Sequence, residues 1–343
     1  LGEIEGREVY PNLAALPAPP DLAMVCTPAA TVPGLIAELG RLGTRAAIVV
    51  TAGLSGEQKQ AMLDAARPHL LRVLGPNCIG LLTPALRLNA SFAHTDALAG
   101  EMAFISQSGA LVTAMLDWAR ARGIGFSHFV SLGEGADVDF GDMLDYLASD
   151  ARTRAILLYI ESLQHARKFM SAARAAARNK PVIVIKAGRS APGARAAASH
   201  SGAMAGADEV VDAAIRRAGM LRVNSLRELF LAAETLSRWR GNTAERLLIL
   251  TNGGGLGVVA ADAAGVEGIE LATLAPETVA RLDAVLPPNW SRGNPLDIIG
   301  DGVLRGDLEA LAARLGLGQR VRFRGSRSED EVRAALAEAD LFV

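Results

Sequence analysis

The chain is 343 residues long, half hydrophobic by composition, 21% charged and 4% aromatic, with a formal net charge of −2. That length predicts two or three domains with aliphatic cores, and the near-neutral balance gives no footing for a nucleic acid or an acidic membrane surface. The two cysteines, Cys26 and Cys78, argue against a disulfide framework and suit a reducing cytoplasm, and the sequence reads without a signal peptide or an apolar run of membrane-spanning length.

The first 20 residues read as a loop that starts abruptly, with no initiator Met. DLAMVCTP (Asp21–Pro28) then predicts a short buried strand and TVPGLIAELGRLG a helix, with Val32, Leu35, Ile36 and Leu39 on one face. AAIVVTAG predicts a second strand, EQKQAMLDAARPHL a second helix, and RVLGPNCIG a third strand with its turn. Alternating strands and helices imply a parallel sheet with right-handed crossovers. Ligands of such sheets bind beyond the carboxyl ends of the strands, here Thr27-Pro28, Thr51-Ala52-Gly53 and Pro76-Asn77-Cys78. Cys78 is read as a buried packing residue, because nothing near it would activate a thiol.

A second α/β unit is predicted from about Glu101 to Leu236. Strands are expected at AFIS, FSHFVSL, AILLYIE and VIVIKAG, and helices at 110–122, 140–149, 165–179, 208–217 and 226–238, with Asp208 as a cap. Its first strand runs into Ser106-Gln107-Ser108-Gly109, a turn that opens a helix. A helix N-terminus carries free N–H groups and partial positive charge, and so can hold an anion. Glu161 ends a strand that should be central, where a carboxylate needs a partner or a purpose; a cap for the next helix is the alternative. The acidic run EGADVDFGDMLD reads as a capped turn before a helix, with cation binding by Asp137 and Asp139 the less favoured reading. His69, His94, His128 and His165 show no metal-ligand spacing. AAASHSGAMAG (196–206) sets one titratable side chain, His200, among small residues; taken alone it reads as a surface turn, but imidazole is also a nucleophile.

A third unit starts near Glu245. RLLILTNGGGLG repeats the strand, glycine turn and helix pattern, with Gly253, Gly254 and Gly255 in the turn. VEGIELATL predicts another strand, PETVARLDAVLPP a helix ended by proline, and SRGNPLDIIGD the next strand and loop. Neither glycine turn carries a P-loop lysine or a clean GxGxxG.

In this order, LGPNCIGLL, ISQSGAL, FVSLGEGADVDFGDMLDYLASD, ASHSGAMAG and SRGNPLDIIGD resemble the nucleoside-diphosphate-forming acyl-CoA synthetases, the superfamily of succinyl-CoA synthetase, over about residues 1 to 300. The wording is nearest to the synthetase-like region of bacterial Pat-type protein lysine acetyltransferases. The resemblance implies an α/β chain: a truncated Rossmann-like CoA-binding domain (1–95) lacking its first strand and phosphate loop, a flavodoxin-like ligase domain (96–240) and a partial third α/β domain (241–300). It implies CoA contacts at Thr27, Pro28, Thr51, Ala52, Gly53 and Asn77. It implies a phosphohistidine at His200 paired with Glu161, and phosphate contacts from Ser106, Gln107, Ser108 and Gly109 on one side and Gly253, Gly254 and Gly255 on the other. ATP or ADP with Mg would be handled by an ATP-grasp domain that these residues do not supply, so a partner subunit is expected, with an oligomer open. Two functional readings follow: an ADP-forming acetate–CoA ligase type of activity through phosphohistidine, or a non-catalytic region that senses CoA or acetyl-CoA. From Asp301 onward the text changes and is similar to a piece of a two-domain glycosyltransferase, so residues 301–343 are expected to be foreign to the rest.

Overall fold

The computed structural model describes residues 2–193, 195, 208–238, 245–251, 254–284 and 290–297. The chain divides into two compact units, Leu1–Ser237 and Arg238–Val343. His200, Gly253 and the 301–343 tail lie outside the described residues.

The first unit opens with a small hairpin (Glu3–Ile4 with Arg7–Glu8) and a 3-10 turn at Leu13–Ala15, capped by Asn12. Three strands follow, β1 (Leu22–Val25), β2 (Ala46–Val49) and β3 (Arg72–Leu74), all parallel and in that spatial order. Helices α1 (Val32–Leu42) and α2 (Gly56–Ala66) are the crossovers. The sequence explains their limits. Gly43 ends α1 in the left-handed region, and Ser55 with Gln58 forms a reciprocal capping box at the start of α2. Val32, Ile36 and Leu39 of α1 and Met62 and Ala66 of α2 bury against Ala47, Val49 and Val73.

A seven-stranded sheet follows, from β4 (Gly80–Thr83), β5 (Leu88–Ser91), β6 (Ala99–Ser106), β7 (Phe126–Ser131), β8 (Ala155–Ile160), β9 (Val182–Lys186) and β10 (Leu221–Val223). Its order is β10-β9-β8-β6-β7-β4-β5. The five later strands are parallel, and the β4–β5 hairpin adds antiparallel to the β7 edge. The hairpin belongs to a stretch that the sequence reading grouped with the first domain. Helices α4 (Phe140–Ser149), α5 (Ala166–Asn179) and α6 (Asp208–Ala218) contribute to one core, and α3 (Gly109–Arg120) and α7 (Leu226–Arg238) to the other. Because both faces are covered, β8 and β9 read as almost continuous apolar runs; Phe104, Phe126 and Phe129 are almost fully buried between strands and helices.

Asp139 caps α4 in a box with Asp142, and Asp137 accepts from Arg72 Nε (3.0 Å) and the Val73 amide (2.7 Å). The acidic run is thus a capped turn. It also does more than the sequence suggested: the amides of Glu134, Ala136 and Val138 donate to the carbonyls of Pro76, Gly75 and Val73. This loop of the larger sheet runs along the free edge of β3 as an added strand would. Gly133, at φ +56, allows the approach, since a Cβ there would meet the Asn77 and Pro76 carbonyls at 2.3 Å. Asp208 is the first residue of α6 rather than a cap, and its Oδ1 accepts from Arg222 Nη2 at 2.6 Å.

The second unit pairs Arg246–Leu247 with Glu270–Leu271 and Leu250–Thr251 with Leu296–Asp297, both parallel, with helices α8 (Gly254–Val266) and α9 (Pro276–Asp283). Its strands are two residues long, shorter than the apolar run Arg246–Leu250 predicts. Among the described residues no helix is long and apolar enough to cross a membrane.

Candidate active site

The strand order of the larger sheet places a switch point between β6 and β8, where successive connections leave to opposite faces. Crevices form at such points, beyond the carboxyl ends of the strands. Here the two ends are Ser106–Gly109 and Glu161–Gln164. One side chain bridges them. Gln107 Oε1 accepts from the amides of Glu161 (2.7 Å) and Ser162 (3.0 Å), while its Nε2 donates to the Ser162 carbonyl at 3.1 Å. The Gln107 amide N–H in turn donates to the Tyr159 carbonyl at 3.3 Å. Sequence reasoning listed Gln107 with the anion contacts; its side-chain amide is instead spent joining the turn to the Glu161 backbone.

The neighbouring serines also turn inward. Ser106 is fully buried; its hydroxyl donates to the Ser108 carbonyl (2.9 Å) and accepts from the Ser108 amide (3.0 Å). Ser108 Oγ caps α3 by accepting from the Leu111 amide at 3.4 Å. Two amides are left at this helix start with no acceptor among the described residues, those of Gly109 and Ala110. Ala110 was not singled out by sequence, because its side chain carries no signal and its contribution is backbone alone. Glu161 is 8% exposed.

Lys186 was also missed. It closes the run VIVIK, whose five residues are all buried, and a charge at the end of an otherwise apolar central strand was the available signal. It pairs in register with Ile160, the residue before Glu161. Burial pushes the Lys186 ammonium below its ordinary pKa; Asp208 and Glu161 oppose that shift and Arg222 adds to it. Arg222 is itself held by Asp208 (2.6 Å) and Asp212 (3.2 Å).

At the three-stranded sheet the predicted ends do come together. Thr51 Oγ1 donates to the Thr27 carbonyl (2.7 Å), Thr31 Oγ1 donates to the Pro28 carbonyl (2.8 Å) and lies 2.8 Å from Thr27 Oγ1, and the Asn77 amide donates to the Thr51 carbonyl (3.0 Å). Pro28, Ala52, Gly53 and Asn77 remain exposed along this rim. Cys78 is 3% exposed, and burial pushes its thiol pKa up to about 12, which makes it a packing residue.

Three of the other histidines have ordinary partners among the described residues. His128 is buried beside Thr153 and Asp150, His165 faces Asp139 at 3.0 Å, and His94 faces Asp117 at 2.6 Å. Among the described residues no group of three His, Cys, Asp or Glu could hold a metal ion. In the second unit, Gly254 and Gly255 form the exposed start of α8, and Gly257 packs against Pro295 and Thr251.

Comparisons with known proteins agree with this layout. Residues 1–84 match the CoA binding domain family, and residues 99–236 match the succinyl-CoA ligase like flavodoxin domain. The chain is 41% identical over 305 residues to acetate–CoA ligase [ADP-forming] I of Archaeoglobus fulgidus, covering 87% of this chain and 44% of that protein. It is 40% identical over 306 residues to the alpha subunit of acetate–CoA ligase [ADP-forming] I of Pyrococcus furiosus, covering 87% of this chain and 66% of that subunit. Among solved structures, the dinucleotide forming acetyl-coenzyme A synthetase 1 of Ca. Korarchaeum cryptofilum, in complex with phosphate and ADP, superposes with a TM-score of 0.82 at 38% identity, over 88% of this chain and 66% of that one. The chain therefore spans between under half and about two thirds of the relatives it matches.

Proposed function

The chain belongs to the nucleoside-diphosphate-forming acyl-CoA synthetases, as a region like their alpha subunits, and on that footing we propose that it carries the acyl-CoA and phosphohistidine half of an ADP-forming acid–CoA ligase. Acyl-CoA lies along the rim of Thr27, Pro28, Thr51, Ala52, Gly53 and Asn77. A phosphate oxygen attacks the thioester carbonyl, the C–S bond breaks, and CoA thiolate leaves with an acyl phosphate formed. An imidazole nitrogen of His200 then attacks phosphorus and the carboxylate leaves. ADP takes the phosphoryl group from His200, giving ATP, on an ATP-grasp partner that also handles Mg. The reverse direction makes acyl-CoA from acid, CoA and ATP.

In this reading Glu161 orients the imidazole and favours its cationic, phosphorylated form. The Gly109 and Ala110 amides, with the partial charge of the α3 N-terminus, hold the phosphoryl group on one side. Both curated relatives are ligases, which favours this over the acetyltransferase-region reading. The observation that carries it is the Gln107 bridge, which ties the anion-binding turn to the Glu161 backbone at the switch point of the sheet. The test supplies an ATP-grasp partner with labelled ATP. Acid-labile label on this chain, lost in His200→Ala, is the expected result; acetyl-CoA binding with no label would overturn it.

A further inference from the structure

We propose that Lys186 and the turn that follows it form an oxyanion site, at the carboxyl end of β9, that takes inorganic phosphate. Lys186 is 3% exposed, yet it lines an open cleft of about 670 Å³ together with Gly188, Arg189 and Ser190. Its Nζ donates to the Ala187 carbonyl. An ammonium has three donors, and among the described residues the other two have no acceptor. The nearby carboxylate, Asp208, is engaged by Arg222 at 2.6 Å and by Arg189 at 3.8 Å. Asp208 and Glu161 are close enough to act on the charge, but among the described residues neither forms an ion pair with it; a buried cation without a direct ion pair or a full set of hydrogen bonds is costly, and an anion in the cleft would complete it. Three successive amides, those of Gly188, Arg189 and Ser190, also lack acceptors among the described residues, with Gly188 at φ +74. Consecutive amides around a left-handed residue form a concavity suited to an anion. A compact ammonium plus several amides suits a tetrahedral oxyanion, which offers more acceptors than a carboxylate.

Phosphate as the occupant rests on the reading above, in which phosphate is a reactant. Titration of the whole chain with inorganic phosphate, read by calorimetry, tests it, with acetate as the competing probe. Wild type, His200→Ala and Lys186→Arg should bind phosphate, and Lys186→Met should bind it about tenfold more weakly or worse. The Met variant removes a desolvated charge, so its melting temperature should hold or rise; if it fails to fold, Lys186→Gln serves in its place. Equal phosphate affinity in wild type and Lys186→Met (or its Gln substitute), no phosphate binding by wild type, or tighter binding of acetate would each overturn the site. Label on His200 without phosphate binding at Lys186 would sink this inference and leave the ligase reading standing. Phosphate binding that depends on Lys186, without label, would do the opposite.

Discussion

The seven-stranded sheet is covered on both faces by its own helices, whereas the three-stranded sheet brings helices for one face only. Its second face, through Ile48, Leu74 and Cys78, joins the core that the larger sheet builds with Phe140, Leu144 and Leu147 of α4. The smaller sheet thus depends on the larger for half of its burial and for the cover of its β3 edge. Beyond the backbone bonds at the β3 edge, charged links between the two are few and wet: Lys59 with Glu134 at 2.8 Å, and Arg72 with Asp137 at 3.0 Å and Asp142 at 3.3 Å, with side chains 22–51% exposed. The difference implies that apolar contact, not charge, joins the two sheets.

Leu144→Ala is the largest test. Removing a fully buried leucine should destabilise the first unit by about 2–5 kcal/mol, and hydrogen exchange should quicken at Ile48 and Val49 as well as at Leu158. Retained protection of the small sheet would break the comparison. Gln107→Ala acts within the larger sheet alone. It strands the Glu161 and Ser162 amides, so about 1–3 kcal/mol should be lost, with phosphohistidine formation slowed more than acyl-CoA binding is weakened.

The His128 cluster gives a pH test confined to the larger sheet. Burial holds the native His128 pKa below its ordinary value, with Asp150 opposing and Arg152 assisting. As pH falls through about 6.5, the unfolded chain gains a proton that the native chain resists. Stability should therefore be complete above that pH and decline below it, levelling off once the native ring also titrates. Melting curves of wild type and His128→Gln between pH 5 and 8 should diverge accordingly, and parallel curves would remove His128 from the account. The smallest effect is expected for Arg72→Ala. Its ion pairs are half exposed, so under about 1 kcal/mol should be lost, with added salt changing wild-type stability little; a larger loss would move the join from apolar to ionic.

Much of this was legible in the residues. The strand and helix alternation, the capped turn in the acidic run and the packing role of Cys78 follow from period, turn chemistry and the lack of an activating neighbour. The β4–β5 hairpin was not legible, since Thr83-Pro84-Ala85-Leu86-Arg87 lacks the glycine or asparagine turn that marks a hairpin. At the site, sequence found the SQSG turn but not the division of labour within it. Which of three adjacent polar residues faces inward depends on the loop beside it, and that loop comes from residues over 50 positions away. Lys186 was overlooked because a lysine ending a strand looks like any solvated strand end until burial is known.

The edge pairing of residues 134–138 with the β3 rim has a consequence for the ligase reading proposed above, in which a thioester must reach the SQSG turn. Backbone hydrogen bonds weld the rim of the small sheet to the platform of the large one, so the span between cofactor and turn is set by main-chain geometry. Acyl groups of different length would then be sorted by that fixed span, and changing the preferred chain length would call for resizing side chains along it rather than loosening a joint.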